Sequence, residues 1–436
     1  MKLALLGILL AVTALFRFGV EGSPTVRLAE PVLALGFLLL FSYLVGKWVL
    51  RYRLPMITGY LLAGILVGPE FLNLLSAEAT DKLHLIDQLA LGIIALTAGG
   101  ELRLAALKAQ AKSLGYLVLM QVVVVFAAVG LGFALLLSLL PVQPEQSLAV
   151  TAITVLFLVG TAVANSPATA IAVITETSAA GPVSDRVIGV TVIKDVVVLT
   201  LFTLIMAVGE TVLTSNSAGV WHDFLHLFWS IFGSFLFGGV AGAAIVLYMR
   251  WIGEDLPIFV LGATFAITVV SGWLNLEFIM ACVAAGFVVE NFSPFGDRLI
   301  LSIERSSLPI YIVFFSIAGA SLNLGVLRSV WPLTLLLVSL RLAGTWLGSR
   351  WGTALAGDEP AVQRFVWTGF VGQAGVTLGM ALLIGRAFAE SFGNFLQALI
   401  ISGIVINQLI GPVIFRIGLE KAGEIGRKDH RAKVEL

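Results

Sequence analysis

VGTAVANSPATAIAV, residues 159–173, starts and finishes as an apolar helix and is interrupted at its centre by Asn165, Ser166 and Pro167. Proline removes a backbone donor and its ring collides with the preceding turn, so a helix written through this stretch has to stop and restart. The surrounding apolar sequence runs from about residue 148 to 174, long enough to cross a hydrocarbon core of about 30 Å. The stretch therefore reads as a helix broken inside a membrane. Backbone groups freed there must find partners in protein or border a watery cavity.

The whole chain supports that setting. Its 436 residues have a mean hydropathy of +1.03, with 59% hydrophobic and 12% charged side chains, the composition of a polytopic membrane protein. Membrane-spanning strands would alternate in polarity over about ten residues, whereas these apolar runs are continuous and predict an all-α fold. Fourteen spans are expected, at about 2–18, 29–50, 55–73, 83–100, 113–140, 148–174, 184–208, 221–250, 256–273, 275–292, 306–324, 330–351, 362–388 and 392–418. The first reads as a retained helix, and residues 421–436 as a short basic tail.

Several functions lose support at this level. The single cysteine, Cys282, excludes an intramolecular disulfide and a cysteine-rich metal site. A formal net charge of zero gives no reason to expect nucleic acid as a partner. The sequence has no HExxH or GxSxG motif for hydrolytic chemistry, so no enzyme and no cofactor are expected. His222 and His226, with Asp223 between them, fall at the edge of the eighth span and read as a solvated interfacial pair.

Cationic residues orient the bundle. With the first terminus cytoplasmic, loops on that side and the tail hold 19 of the 26 Lys and Arg residues. Arg17, Arg27, Lys82, Arg328 and Arg386 fall on the other side, which leaves Lys194 and Arg341 near the middle of spans. The bias predicts both termini inside, and the expected location is a prokaryotic plasma (inner) membrane.

A second interruption occupies a matching place. TGFVGQAGVTLGM, residues 368–380, carries Gly369, Gly372, Gly375 and Gly379 and loosens the thirteenth span where Pro167 breaks the sixth. The second to seventh spans resemble the ninth to fourteenth in order and character. Seven spans separate equivalent helices, an odd number, so the two sets have opposite topology. Discontinuous helices at equivalent places in two halves are a pointer to a transport site. The expected organisation is an extra helix in 1–28, a first inverted repeat in 29–208, a linker helix in 209–255, a second repeat in 256–420 and the tail. The GILVG, GGVAG, GTWLG and GVTLG segments read as small-residue contacts between helices.

Asp195 is the one acid deep in a span, about eleven residues in and thus about 16 Å from either end. A charge at that depth costs at least about 3 kcal/mol, so such residues usually face a cavity and act in function. Lys194 lies beside it, but neighbours on a helix point about 100° apart and pair poorly. Thr191 stands one turn before Asp195 on the same helix face. Thr191, Asn165 and Ser166, with carbonyls freed at the break, offer the oxygen ligands that a hard monovalent cation prefers. Desolvation disfavours the bare carboxylate and either a proton or a cation relieves it. Two cargoes therefore compete for one negative charge, which is sufficient for exchange if the empty charged site cannot cross.

LPMITGYLLAGILVGP, ANSPAT, IKDVVVL, FFSIAGASLNLGVL, SLRLAGTWLGSR and INQLIGP, in this order over about residues 30–425, resemble landmarks of the cation:proton antiporter superfamily, especially its second family with the Kef and NapA types. The resemblance implies two inverted six-helix repeats with crossed broken helices, about 13–14 transmembrane helices, elevator-like alternating access and a homodimer. It implies that Asp195 carries the exchanged ion or proton, that Asn165 and Ser166 are ligand positions at the break with Pro167, and that Arg341 pairs with an acid in the core. Gln373 falls in the second break, as a structural partner. Lys194 stands where relatives carry Asp, Asn or Gln, and it reads as an internal competitor that neutralises Asp195 when no ion is bound. The expected function is exchange of Na⁺, K⁺ or Li⁺ for H⁺, with no metal beyond that transported cation. Symport of an anionic or organic substrate, for which the deep Lys194 and Arg341 speak, and a Kef-like potassium efflux channel are the alternatives.

Overall fold

The computed structural model describes residues 24–52, 54–75, 84–139, 148–214, 220–321, 324–373, 375–388 and 392–427. The first expected span, 2–18, lies outside them. Every described regular element is helical: α1 (Pro24–Val49), α2 (Met56–Val67), α3 (His84–Glu101), α4 (Leu104–Leu139), α5 (Leu148–Val163), α6 (Pro167–Glu176), α7 (Pro182–Thr214), α8 (Val220–Trp251), α9 (Leu256–Trp273), α10 (Phe278–Phe292), α11 (Gly296–Ala320), α12 (Leu324–Ala356), α13 (Pro360–Phe365), α14 (Gly375–Ala387) and α15 (Gly393–Ala422), with 3-10 turns at Leu50–Tyr52 and Val366–Phe370. Eight membrane spans are long and apolar enough by themselves among the described residues, a ninth is the bent α11, and the shorter apolar α2, α3, α10 and α14 fill four more expected positions. Thirteen of the fourteen expected spans therefore coincide with helical segments.

The sixth expected span is two helices, α5 and α6, separated at Ala164–Ser166. The thirteenth is broken as well, into α13, the 3-10 turn and α14. α11 also bends, by 59° between Ile303 and Leu308, next to Pro309, whose missing donor weakens the helical ladder there.

Packing sorts the helices into two groups. α4, α5, α6, α7, α12, the 3-10 turn, α14 and α15 pack mainly on one another, as do α1, α2, α3, α9, α10 and α11. α8 lies along α10 and also touches α7. In the first group α12 crosses α4 with Gly344, Gly348 and Gly352 against the backbone of Val125, Met120 and Tyr116. A methyl at any of the three would meet main-chain atoms, so small residues set this close approach, as GTWLG predicted. In the second group Gly64 of GILVG lies against the backbone of Ser316, and in GGVAG Gly238 of α8 lies against Ala281. Gly379 of GVTLG has nothing nearby that a methyl would meet.

The helix that carries Asp195, α7, is anchored at its start by a residue far away in sequence. Glu424, just past α15, accepts hydrogen bonds from Val183 N at 2.7 Å, Ser184 N at 2.9 Å and Ser184 Oγ at 2.6 Å. A carboxylate at a helix N-terminus satisfies exposed N–H groups and complements the helix dipole. Nearby, Asp358 accepts from Arg186 Nη2 at 3.1 Å and from Ser113 Oγ at 2.5 Å, tying α7 and α4 to the turn after α12.

Candidate functional site

The two breaks meet. Ser166 N donates to Gly372 O at 2.9 Å, so the gap between α5 and α6 is joined directly to the gap before α14. Ser166 is also the N-cap of α6, its Oγ accepting from Thr169 N at 3.2 Å, with Pro167 at the first helical position. That is the position at which proline's missing donor costs nothing and its fixed φ suits the helix. Ser–Pro therefore ends one helix and begins the next, for local reasons visible in the sequence.

The carbonyls released by both breaks converge on one guanidinium. Arg341, 1% exposed on α12, donates through Nε to Ala162 O at 3.0 Å, through Nη2 to Ala164 O at 2.8 Å and Phe370 O at 3.0 Å, and through Nη1 to Val371 O at 2.9 Å. Gln373 assists from the second break: its Nε2 donates to Thr161 O at 3.0 Å and Ala164 O at 3.2 Å, and its Oε1 accepts from Asn407 Nδ2 at 2.8 Å. Where the family resemblance implied an acidic partner for Arg341, the partners are four main-chain oxygens. A rigid fork of five donors suits several carbonyls at once, which a broken helix supplies and an intact one does not.

Asp195, Asn165, Ser166 and Pro167 come together on the wall of a cavity of about 50 Å³. The opposite wall belongs to the second group of helices, with Ile94 and Ala98 of α3 and Ile279 and Met280 of α10, and Phe235 of α8 contributes as well. The site thus lies between the two helical groups. A water needs about 10–15 Å³ of such space, so the cavity suits a few waters or a partly hydrated alkali ion. Asp195 Oδ1 and both amide atoms of Asn165 are buried with no hydrogen-bond partner. Buried polar atoms are nearly always satisfied, and three orphans in one small cavity mark a place that favours a polar guest. One carboxylate, one amide and a hydroxyl oxygen, among apolar walls, can hold a single hard cation or a proton. Among the described residues no group of three or more His, Cys, Asp or Glu is placed to hold a metal ion.

The other expected site residues lie elsewhere. Thr191 is fully buried, but its hydroxyl donates to Ile188 O at 2.9 Å and it does not line the cavity. Lys194 points away from Asp195. Its Nζ donates to Gln121 Oε1 at 2.7 Å, Gln121 Nε2 continues to Ser349 Oγ at 2.9 Å, and the Phe370 ring centroid is 5.8 Å from the ammonium. Neither Lys194 nor Arg341 lines the cavity, and neither is ion-paired with Asp195. The sequence reading gave no individual role to Gln121, or to Asn407 and Gln408 of INQLIGP. Gln121, a lone amide in MQVVVVF, could have been found by the same argument that singled out Asp195. Gln408 accepts from Thr169 Oγ1 at 3.1 Å, a contact across 239 positions that no local pattern announces.

Comparison with known proteins adds two findings. The family described as sodium/hydrogen exchanger, transmembrane, matches residues 36–421. Two solved structures of the sodium proton antiporter MjNhaP1 from Methanocaldococcus jannaschii share the fold. The one at pH 8 is 17% identical with a TM-score of 0.64, covering 89% of this chain and 99% of that one. The other, from electron microscopy, is 18% identical with a TM-score of 0.65, covering 95% and 99%. Among curated proteins none matches.

Proposed function

The chain belongs to the sodium/hydrogen exchanger family, and from that premise we propose that it exchanges a monovalent cation, Na⁺, K⁺ or Li⁺, for H⁺ with both competing for Asp195. The observation that carries this reading is the cluster of buried, unpartnered atoms, Asp195 Oδ1 and the Asn165 amide, in one cavity between two helical groups. Desolvation makes the bare carboxylate costly and either cargo relieves that cost. Asn165 and Ser166 complete the ligand set, with Thr191 behind them, too engaged with Ile188 to bind unless its hydroxyl turns. Arg341 and Gln373 keep the break open by holding its carbonyls.

Alternating access then requires the group that carries the breaks to shift against the other, exposing the cavity first on one side and then on the other. We read residues 29–208 and 256–420 as inverted repeats joined by 209–255, in a homodimer in a prokaryotic inner membrane with both termini cytoplasmic. Lys194 is assigned the role of a charge that competes with cargo for Asp195. In the present arrangement its ammonium is held by Gln121, so direct neutralisation requires it to leave that partner.

Proteoliposomes with an internal pH dye test the reading. Addition of Na⁺, K⁺ and Li⁺ in turn is expected to drive proton flux with at least one of them, and Asp195→Ala is expected to abolish it while leaving the protein folded. Flux that survives in Asp195→Ala, or that follows the anion rather than the cation, overturns the assignment.

A further inference from the structure

Near the end of α15 a second hollow, of about 550 Å³, is lined by residues of α13, the 3-10 turn and α15, none of them shared with the Asp195 cavity. Phe365, Trp367, Ile414 and Ile417 line it, and so do Arg364 and Lys421. Both cations are exposed, and no ion pair seen among the described residues includes either. Ile417 is itself 44% exposed. We infer that this groove binds an anionic phospholipid, with the phosphate between Arg364 and Lys421 and an acyl chain along Trp367, Ile417 and Ile414.

The geometry orders these groups as a lipid does. Lys421 lies in the last turn of α15, which is where a spanning helix reaches the headgroup region. Ile417 and Ile414 are four and seven residues earlier, hence about 6 and 10 Å deeper at 1.5 Å per residue. Charge therefore sits at the depth of the phosphate and apolar surface at the depth of the chains. Trp367, with a ring that prefers the boundary between the two, stands beside them. A soluble anion would use the cations and leave the apolar wall wet, while a zwitterionic lipid brings its own ammonium with its phosphate and leaves the positive charge of the groove uncancelled. The groove has the volume of a site for a drug-sized ligand, and basic pockets at this depth bind anionic headgroups.

Lipid retention is a binding measurement and does not depend on cation exchange. Purified protein is equilibrated with mixed micelles holding equal amounts of phosphatidylglycerol and phosphatidylcholine, and retained lipid is counted by native mass spectrometry. Two surface cations predict roughly thirtyfold preference for the anionic lipid, reduced to near parity in Arg364→Gln/Lys421→Gln. Ile417→Trp, which fills the groove and leaves both charges, is expected to lower retention as well. Equal retention by wild type and the double variant overturns the proposal. Competition by inorganic phosphate at the concentration of the lipid also overturns it, since a site for free phosphate needs no apolar wall. A dimer population that falls in the double variant with no lipid retained by either protein assigns the groove to a second copy instead, and rejects the lipid.

Discussion

At the level of single residues, Lys194 and Asp195 are neighbours in sequence whose side chains go to different places. Asp195 lines the cavity, whereas Lys194 reaches Gln121 across the α4–α7 contact. Their divergence follows from helix geometry, since adjacent positions lie about 100° apart. A buried ammonium on a neutral amide is coupled strongly to that amide, because loss of either leaves the other unsatisfied at about 1–3 kcal/mol. Lys194→Met alone is expected to lower stability by about that amount, and Gln121→Leu alone to cost at least as much because it strands the charge. The pair together should be less destabilising than the sum, giving a coupling of at least about 1 kcal/mol in a double-mutant cycle. Thermal unfolding in detergent measures it, and strictly additive single effects would show that the contact does not exist. The burial of Asp195 was legible from position alone, as was the poor pairing with Lys194. The partner of Lys194 was not, because it is 73 positions away and its choice depends on which helices cross.

At the level of elements, Pro167 encodes the break in one helix and the glycines of 369–379 the loosening of another, but neither local pattern encodes that the two gaps face each other. Arg341 makes that meeting stable. Four carbonyls, two from each break, lose their helical donors and recover them from one side chain on α12. The family resemblance marked Arg341 and gave it the wrong partner, since nothing in a pattern of residue types counts free main-chain oxygens. Arg341→Gln is expected to destabilise by at least about 3 kcal/mol, each abandoned carbonyl costing about 1–3. Arg341→Lys, with the charge but not the planar fork, should recover part of that loss. Unfolding temperatures of the two variants decide the matter: a Gln variant as stable as wild type, or a Lys variant no better than Gln, contradicts a role in bridging the breaks.

At the level of the whole molecule, the two helical groups touch at the cavity and at a clasp where α6 and α15 meet the start of α2. Glu176, the last residue of α6, accepts from Met56 N at 2.6 Å and Ile57 N at 3.3 Å, capping α2 of the other group, whose own N-cap, Pro55, offers no side-chain hydrogen bond. Arg416 of α15 donates to Leu54 O at 3.1 Å and lies 4.0 Å from Glu176. If transport moves one group against the other, as proposed above, this clasp has to open, and its strength biases the balance between arrangements. Hydrogen bonds to a charged acceptor are worth about 1.5–3 kcal/mol against about 1 for neutral ones, so Glu176→Gln weakens the clasp by about 1 kcal/mol. A difference of that size shifts a two-state ratio about fivefold. In a Cys282→Ser background, a cysteine placed at Ile279 on the cavity wall reports the shift through its rate of labelling by a soluble maleimide. Glu176→Gln is expected to change that rate severalfold at constant pH while leaving the unfolding temperature within a few degrees. An unchanged rate means that the clasp holds nothing that moves, and the gating surface must then be sought at the contacts of α3 with α6 and of α8 with α7.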